Sequence, residues 1–135
     1  MGWDTSGSWR KDMQFDFDGT TPLYLQVAEQ IEEGILAGSF GSETQIPSTT
    51  EIAREFHINP ATVLKGMNLL VTDKVIEKRR GLGMFVLDGA RERIIYKRRT
   101  DFYEDHVQLL IAEATRIGLT QTDLEALITR GYEQA

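Results

Sequence analysis

Arg79-Arg80-Gly81-Leu82-Gly83 is the stretch of this sequence best suited to meeting an anion. Guanidinium groups hold a permanent charge and a planar fork of donors that matches phosphate oxygens, while glycines let a backbone come close to a surface. Upstream lie Asn59-Pro60-Ala61-Thr62 and Lys65, and before them Ser48-Thr49-Thr50-Glu51. These amide, hydroxyl and ammonium groups stand at or near the beginnings of two helical patterns. The chemistry they suit is recognition of phosphate and base edges without bond making. No Ser/His/Asp, Cys/His or phosphate-loop spacing is present, and Gly81-Leu82-Gly83 reads as a turn, so no enzyme and no cofactor is expected. Asp101, Glu104, Asp105 and His106 form one acidic cluster in which Asp101 and Asp105 lie one turn apart. Acids there suit a helix start, and no metal site is expected. His57, in the turn, reads as a structural residue.

The elements that must hold these groups follow from periodicity and caps. Thr21-Pro22 opens a helix, with Thr as cap and Pro in the first position. Leu23, Val27, Ile31 and Ile35 give that helix one apolar stripe ending near Gly38. Phe15 and Phe17 alternate with acids and read as a short extended clasp on the core. Ser48 and Glu51 form a capping box for a short helix that buries Ile52, Ala53 and Phe56. After a turn at His57-Ile58, Asn59-Pro60 repeats the cap-then-proline start. Val63, Met67 and Leu70 mark the inner face of the next helix, so Ala61, Thr62, Lys65 and Asn68 point outward. Gly66 permits close approach of a neighbouring helix, at about 1 kcal/mol of helix propensity. Val75-Ile76 and Met84 to Leu87 are strands joined by the basic tip. Two capped helices about three residues apart, followed by a basic hairpin, are the sequence form of a helix-turn-helix with a wing.

Charge is distributed to match. Residues 1–73 carry four Lys/Arg and eleven Asp/Glu, residues 74–99 nine and three, and residues 100–135 two and seven. The net charge of −6 therefore conceals a basic stripe, and DNA affinity depends on the phosphates neutralised locally. At 41% hydrophobic and 27% charged, the composition is that of a soluble globular protein. No apolar run approaches the roughly eighteen residues a membrane helix needs. The absence of cysteine fits a reducing cytoplasm, and DNA binding would place the protein at the nucleoid.

Beyond a basic linker (Arg91, Arg93, Lys97, Arg98, Arg99), Tyr103, Val107, Leu110, Ala114 and Ile117 recur at 4-3-4-3, a seam of the sort paired helices use. Gly118 breaks that helix. Thr120 with Asp123 restarts it, and Leu124, Leu127, Ile128 and Tyr132 form a second stripe. The expected organisation is a flexible leader (1–14), a winged helix-turn-helix (15–88), and a basic linker with two tail helices (89–135). The fold class is mainly α with a small β-hairpin. The leading function is a homodimeric, sequence-specific DNA-binding protein on a near-palindromic operator, with Asn59 and Thr62 at phosphate or base edges and Arg79 and Arg80 on phosphate or in the minor groove.

From about Thr21 to Val86 the chain resembles the GntR family of bacterial transcription regulators. The resemblance rests on Pro22-Leu23-Tyr24, Pro47-Ser48, Asn59-Pro60-Ala61-Thr62-Val63 and Arg80-Gly81-x-Gly83-x-Phe85-Val86. The short two-helix tail is similar to that of the YtrA-type subfamily, dimeric regulators that often control transporter genes. Carried over by position, the resemblance implies DNA contacts from Ser48, Thr49 and Thr50, from Asn59, Ala61, Thr62, Leu64 and Lys65, and from Arg79, Arg80 and Gly81. It also favours a dimer contact through Tyr103, Val107, Leu110, Ala114, Ile117, Leu124, Leu127 and Ile128. Any small-molecule effector stays unspecified. Three positions depart from the family pattern: Thr50, where arginine is common, Leu64, where a basic residue is frequent, and Leu82, where lysine is. Arginine makes the commonest bidentate guanine contact, so these departures bear on affinity and operator choice. They also motivate the alternative, a winged protein-interaction module that has lost DNA.

Overall fold

The computed structural model describes residues 8–135 and resolves the chain into two units, one ending at Ile95 and the other spanning Tyr96–Ala135. The elements run α1 (Trp9–Asp12), α2 (Leu23–Leu36), α3 (Thr49–Phe56), α4 (Pro60–Thr72), β1 (Ile76–Arg79), β2 (Gly83–Val86), α5 (Ala90–Phe102), a π-helical turn (Tyr103–Val107), α6 (Gln108–Arg116) and α7 (Gln121–Gln134). This is the expected mainly helical fold with one antiparallel hairpin.

In the first unit the α2 stripe is buried, with Val27, Ile31 and Ile35 in one core with Ile52, Val63, Met67, Leu70, Ile76 and Val86. Removing such side chains from water is the main drive to fold, at about 25 cal/mol per Å² of apolar surface. The hairpin pairs Ile76 with Val86 through to Arg79 with Gly83. Residues 43–46 add a third, irregular layer on β2: Glu43 N–H donates to Val86, Val86 N–H to Thr44, and Ile46 N–H to Met84, each at 2.9 Å. Arg79 thus stands in a strand, and the tip is Arg80-Gly81-Leu82.

Four sequence expectations need correction. Residues 8–14 are not a free leader: α1 buries Trp9, Met13 enters the core directly after it, and Arg10 pairs with Glu55 at 3.4 Å and with Glu51 at 3.7 Å. One helical turn is too short to show a period, yet two large apolar side chains suffice to seat it. Residues 1–7 of that expected leader lie outside the described residues. Thr21 does not cap α2. Pro22 takes the cap position without a side-chain bond, and the Thr21 carbonyl accepts from Gln26 Nε2 at 2.8 Å. Buried Gln26 also exchanges hydrogen bonds with the backbone of Asp16 at 2.8 and 2.9 Å, so it fastens the segment leading into α2. Phe15 packs on Phe56 with ring centroids 4.9 Å apart, whereas Phe17 is exposed, so only half of the expected clasp forms. Finally, the basic linker is helical. Ala90 and Ile94 are buried in the first core, and Arg93 donates to the carbonyls of Lys74 (3.0 Å) and Asp88 (2.9 Å), while Arg91 donates to that of Leu36. The first unit therefore runs past residue 88.

The second unit is built on local signals. Gly118 takes φ +82° after α6, and Thr120 and Asp123 close a reciprocal capping box on α7. The 4-3-4-3 seam is broken near its start, because the step from Tyr103 to Val107 lies in the π-helical turn, whose wider i→i+5 winding rotates α6 relative to a continuous α-helix. Of the expected pairing residues only Ala114 is buried; Tyr103, Leu110, Ile117, Leu127 and Ile128 are exposed.

Candidate nucleic-acid interface

Local chemistry sets the angle between α3 and α4. The Ser48 Oγ accepts from Glu51 N–H and Glu51 Oε1 accepts from Ser48 N–H, each at 3.0 Å, which completes the box at the head of α3. At its tail His57 adopts φ +56°, a left-handed turn, and Ile58 N–H returns to Ala53 O at 3.0 Å while its side chain is buried. Asn59 Oδ1 then accepts from Ala61 N–H at 2.8 Å, with Pro60 in the first position of α4. A cap and a proline leave α4 with a defined start. Gly66 lets α4 lie against α2: a Cβ there would come within 2.6 Å of the Tyr24 carbonyl and 3.0 Å of Val27.

With Val63, Met67 and Leu70 turned inward, Ala61, Leu64, Lys65 and Asn68 form the exposed face of α4. Together with Leu69 and Thr72 they line a shallow groove of about 320 Å³. Thr62 is half-buried. Lys65 bends back over Tyr24, its Nζ 3.9 Å from the ring centroid, an attraction between a cation and a ring face. At the head of α3, Thr50 is exposed while Ser48 and Thr49 are half-exposed. Ser48 and Asn59 already serve as caps.

The wing separates two arginines that stand next to each other in the chain. Arg80 is exposed, and its side chain has no hydrogen-bond or ion-pair partner among the described residues. Arg79 is half-buried. Its guanidinium hydrogen-bonds Glu43 directly, contacts Glu77 Oε2 at 3.1 and 3.2 Å, and lies 4.4 Å over the Phe85 ring. The Glu43 hydrogen bond is the largest cause holding Arg79 above the ordinary arginine pKa; partial desolvation opposes it. The exposed tip is braced by Gln45, whose Nε2 donates to Leu82 O at 2.6 Å. Gly83, at φ +122°, leaves room for that amide: a Cβ would sit 2.5 Å from it.

Sequence reasoning missed Glu43, Gln45 and Glu77, and placed Phe85 only within the family pattern. Glu77 was findable, since it stands two residues before Arg79 and strand residues at i and i+2 share a face. Glu43 is 36 residues away and carries no local signal. Among the described residues no three His, Asp or Glu side chains converge as metal ligands, and no helix is long and apolar enough to cross a membrane.

Comparison with known proteins adds to this geometry. The family described as "Bacterial regulatory proteins, gntR family" matches residues 23–86. The HTH-type transcriptional repressor YtrA of Bacillus subtilis is 31% identical over 99 residues, covering 73% of this chain and 76% of the relative. A GntR-family transcriptional regulator from Bacteroides thetaiotaomicron superposes with a TM-score of 0.71 at 29% identity, covering 83% of this chain and 97% of that one. BusR of S. agalactiae, solved in complex with its busAB-promoter DNA, has a TM-score of 0.54 at 23% identity over 84% of this chain and 55% of that one, and shows likeness of fold.

Proposed function

The chain belongs to the GntR family of bacterial regulatory proteins, which are transcriptional regulators and not enzymes, and on that premise we propose that it represses transcription as a homodimer on a near-palindromic operator. Two copies would present two α4 helices and two wings to half-sites about one helical turn apart. Within each copy, the start of α4 (Asn59, Ala61, Thr62, Leu64, Lys65) would enter the major groove. The head of α3 (Ser48, Thr49, Thr50) would meet the backbone, and Arg80 with Gly81 would reach phosphate or the minor groove. The second unit is assigned to pairing, through Leu110, Ile117, Leu127 and Ile128 among others. Transporter genes are the targets that the subfamily resemblance implies. The cell interior is where such a protein would work.

The observation that carries this reading is the exposed face of α4 together with Arg80 on the hairpin beyond it, which has no partner among the described residues. The caps at Ser48 and Asn59 use side-chain oxygens, so the helix starts are rigid before any ligand arrives. Selection of bound sites from random genomic fragments should enrich one palindrome. Titration of that site at several salt concentrations should then show Arg80→Ala binding more weakly, with a salt slope shallower by about 0.9 for each wing in contact. An unchanged slope would remove Arg80 from the interface. Leu64 and Leu82, 45% and 65% exposed, favour a second reading in which the same face docks a protein. Failure to enrich any site at low salt would favour that role.

A further inference from the structure

Arg79 and Arg80 offer the wing two cations, yet of the two only Arg80 is without a partner among the described residues. Glu43 approaches Arg79 from the irregular strand that pairs with β2, and Glu77 approaches along β1. Glu43 is also one of three non-glycine residues with positive φ among the described residues, at +64°. A side chain in that region costs backbone energy on the order of 1 kcal/mol, so the carboxylate is delivered by a conformation that is not the chain's preferred one. The ring of Phe85 lies against the guanidinium, its centroid 4.4 Å from the central carbon. An arginine beside two carboxylates and an aromatic ring has its charge neutralised, with Nε and one terminal nitrogen engaged.

We propose that Glu43 and Glu77 mask Arg79, making it a positioning residue that stiffens the wing while Arg80 is the one of the two arginines that meets the duplex, and that this mask lowers affinity for DNA of arbitrary sequence. The inference rests on the DNA-binding reading above. Its physical basis is counterion release: each phosphate neutralised adds about 0.9 to the salt slope, and that contribution does not depend on sequence. A paired arginine contributes little of it, and two carboxylates near the same phosphate repel it. The wing then keeps its shape without adding general attraction to every duplex.

The test is a double-mutant cycle on the full-length chain, using a random-sequence duplex and the selected operator between about 50 and 200 mM salt. Removing the acids in Glu43→Gln/Glu77→Gln should steepen the slope by about 0.9 per wing, so that random-duplex binding at the low-salt end gains about threefold to fourfold per wing in contact relative to the high-salt end. The same acid substitutions in an Arg79→Ala background should change the slope far less, since no guanidinium remains there to displace counterions from the DNA. Arg79→Ala alone should leave the slope unchanged while lowering thermal stability. Equal effects of the acid substitutions with and without Arg79 would reduce the mask to simple repulsion and overturn the proposal. So would a slope that falls by about 0.9 in Arg79→Ala, which would make Arg79 a direct contact. Wild-type protein that binds no duplex at low salt sinks the DNA-binding reading together with this one. Wild-type binding without the predicted coupling sinks the mask alone.

Discussion

The two units of this chain bury their apolar residues very differently. In the first, Ile31, Ile52, Val63, Met67 and Ile76 are fully enclosed, and its buried polar groups are answered within the unit, as Gln26 is by Asp16 and Thr21. In the second, Leu109, Leu110, Ile111, Ile117, Leu127, Ile128 and Tyr132 are exposed, and α6 and α7 enclose an apolar groove of about 420 Å³ with Ala114 at its floor. An exposed apolar groove of this kind is a common mark of an interaction site. One unit holds its fold by internal packing. The other has helices set by caps and apolar groups still without cover in a single chain, which is the basis for assigning it to pairing.

The largest effect should come from separating them. A chain ending at Ile95 keeps Ala90 and Ile94, which close the first core, and should fold as a monomer. If the second unit pairs two copies, its loss converts a bivalent operator contact into a monovalent one, weakening binding by about 10²- to 10⁴-fold. Sedimentation and operator titration of the truncated chain measure both. A truncated protein that still sediments as a dimer would move the pairing surface into the first unit.

Point substitutions should sharpen the same contrast. Ile31→Ala opens a cavity in the first core and should cost about 2–5 kcal/mol, whatever the protein concentration. Ile128→Ala should scarcely move the first unit's melting but should raise the concentration at which dimers form. Gly66→Ala should fall next in size. The added methyl meets the Tyr24 carbonyl, so α4 must shift from α2, at about 1–3 kcal/mol and with weaker operator binding. A stabilised Gly66→Ala protein would mean that the two helices pack more loosely than this close approach implies.

The features legible in the sequence were those whose causes lie within a few residues. Ser48 with Glu51, Thr120 with Asp123, Asn59 before Pro60, and the turn at Gly118 all form as their spacing implies. Gly66 was legible too, because glycine inside a strong helical pattern has a cost that packing must offset. The rest depends on distant partners. Arg79 looked like Arg80 until Glu43 arrived from 36 residues upstream. Trp9 and Met13 have no periodicity to reveal that they are core. The charge of residues 91–99 announced exposure but not helix, because basic residues are good helix formers as well as good linker residues. The π-helical turn left no mark that a heptad count would notice. Charge thus located the wing correctly, while only the fold could say which of its charges is free.

The smallest effect concerns how the second unit keeps α7 in place. Asp123 accepts from Thr120 N–H at 3.0 Å and gives its own N–H to Thr120 Oγ1 at 3.1 Å. The backbone hydrogen bond from Thr120, and then the one involving its side chain, hold the Asp123 carboxyl below its ordinary value. A carboxylate whose pKa is lower folded than unfolded binds fewer protons in the folded state. Its contribution is therefore fully present above the unfolded value near 3.9 and disappears as pH falls through the lowered folded value. Far-UV helicity monitored from about pH 6 to pH 2 should fall more steeply below about pH 4 in wild type than in Asp123→Asn. Asparagine can still accept from the Thr120 amide but does not titrate, so the difference between the two curves isolates the charge on the box. In a unit with so few buried apolar groups, a cap makes up a larger share of what holds the helix. A flat difference curve would mean that α7 is held by packing after all, and the contrast between the two units would be smaller than their exposed surfaces suggest.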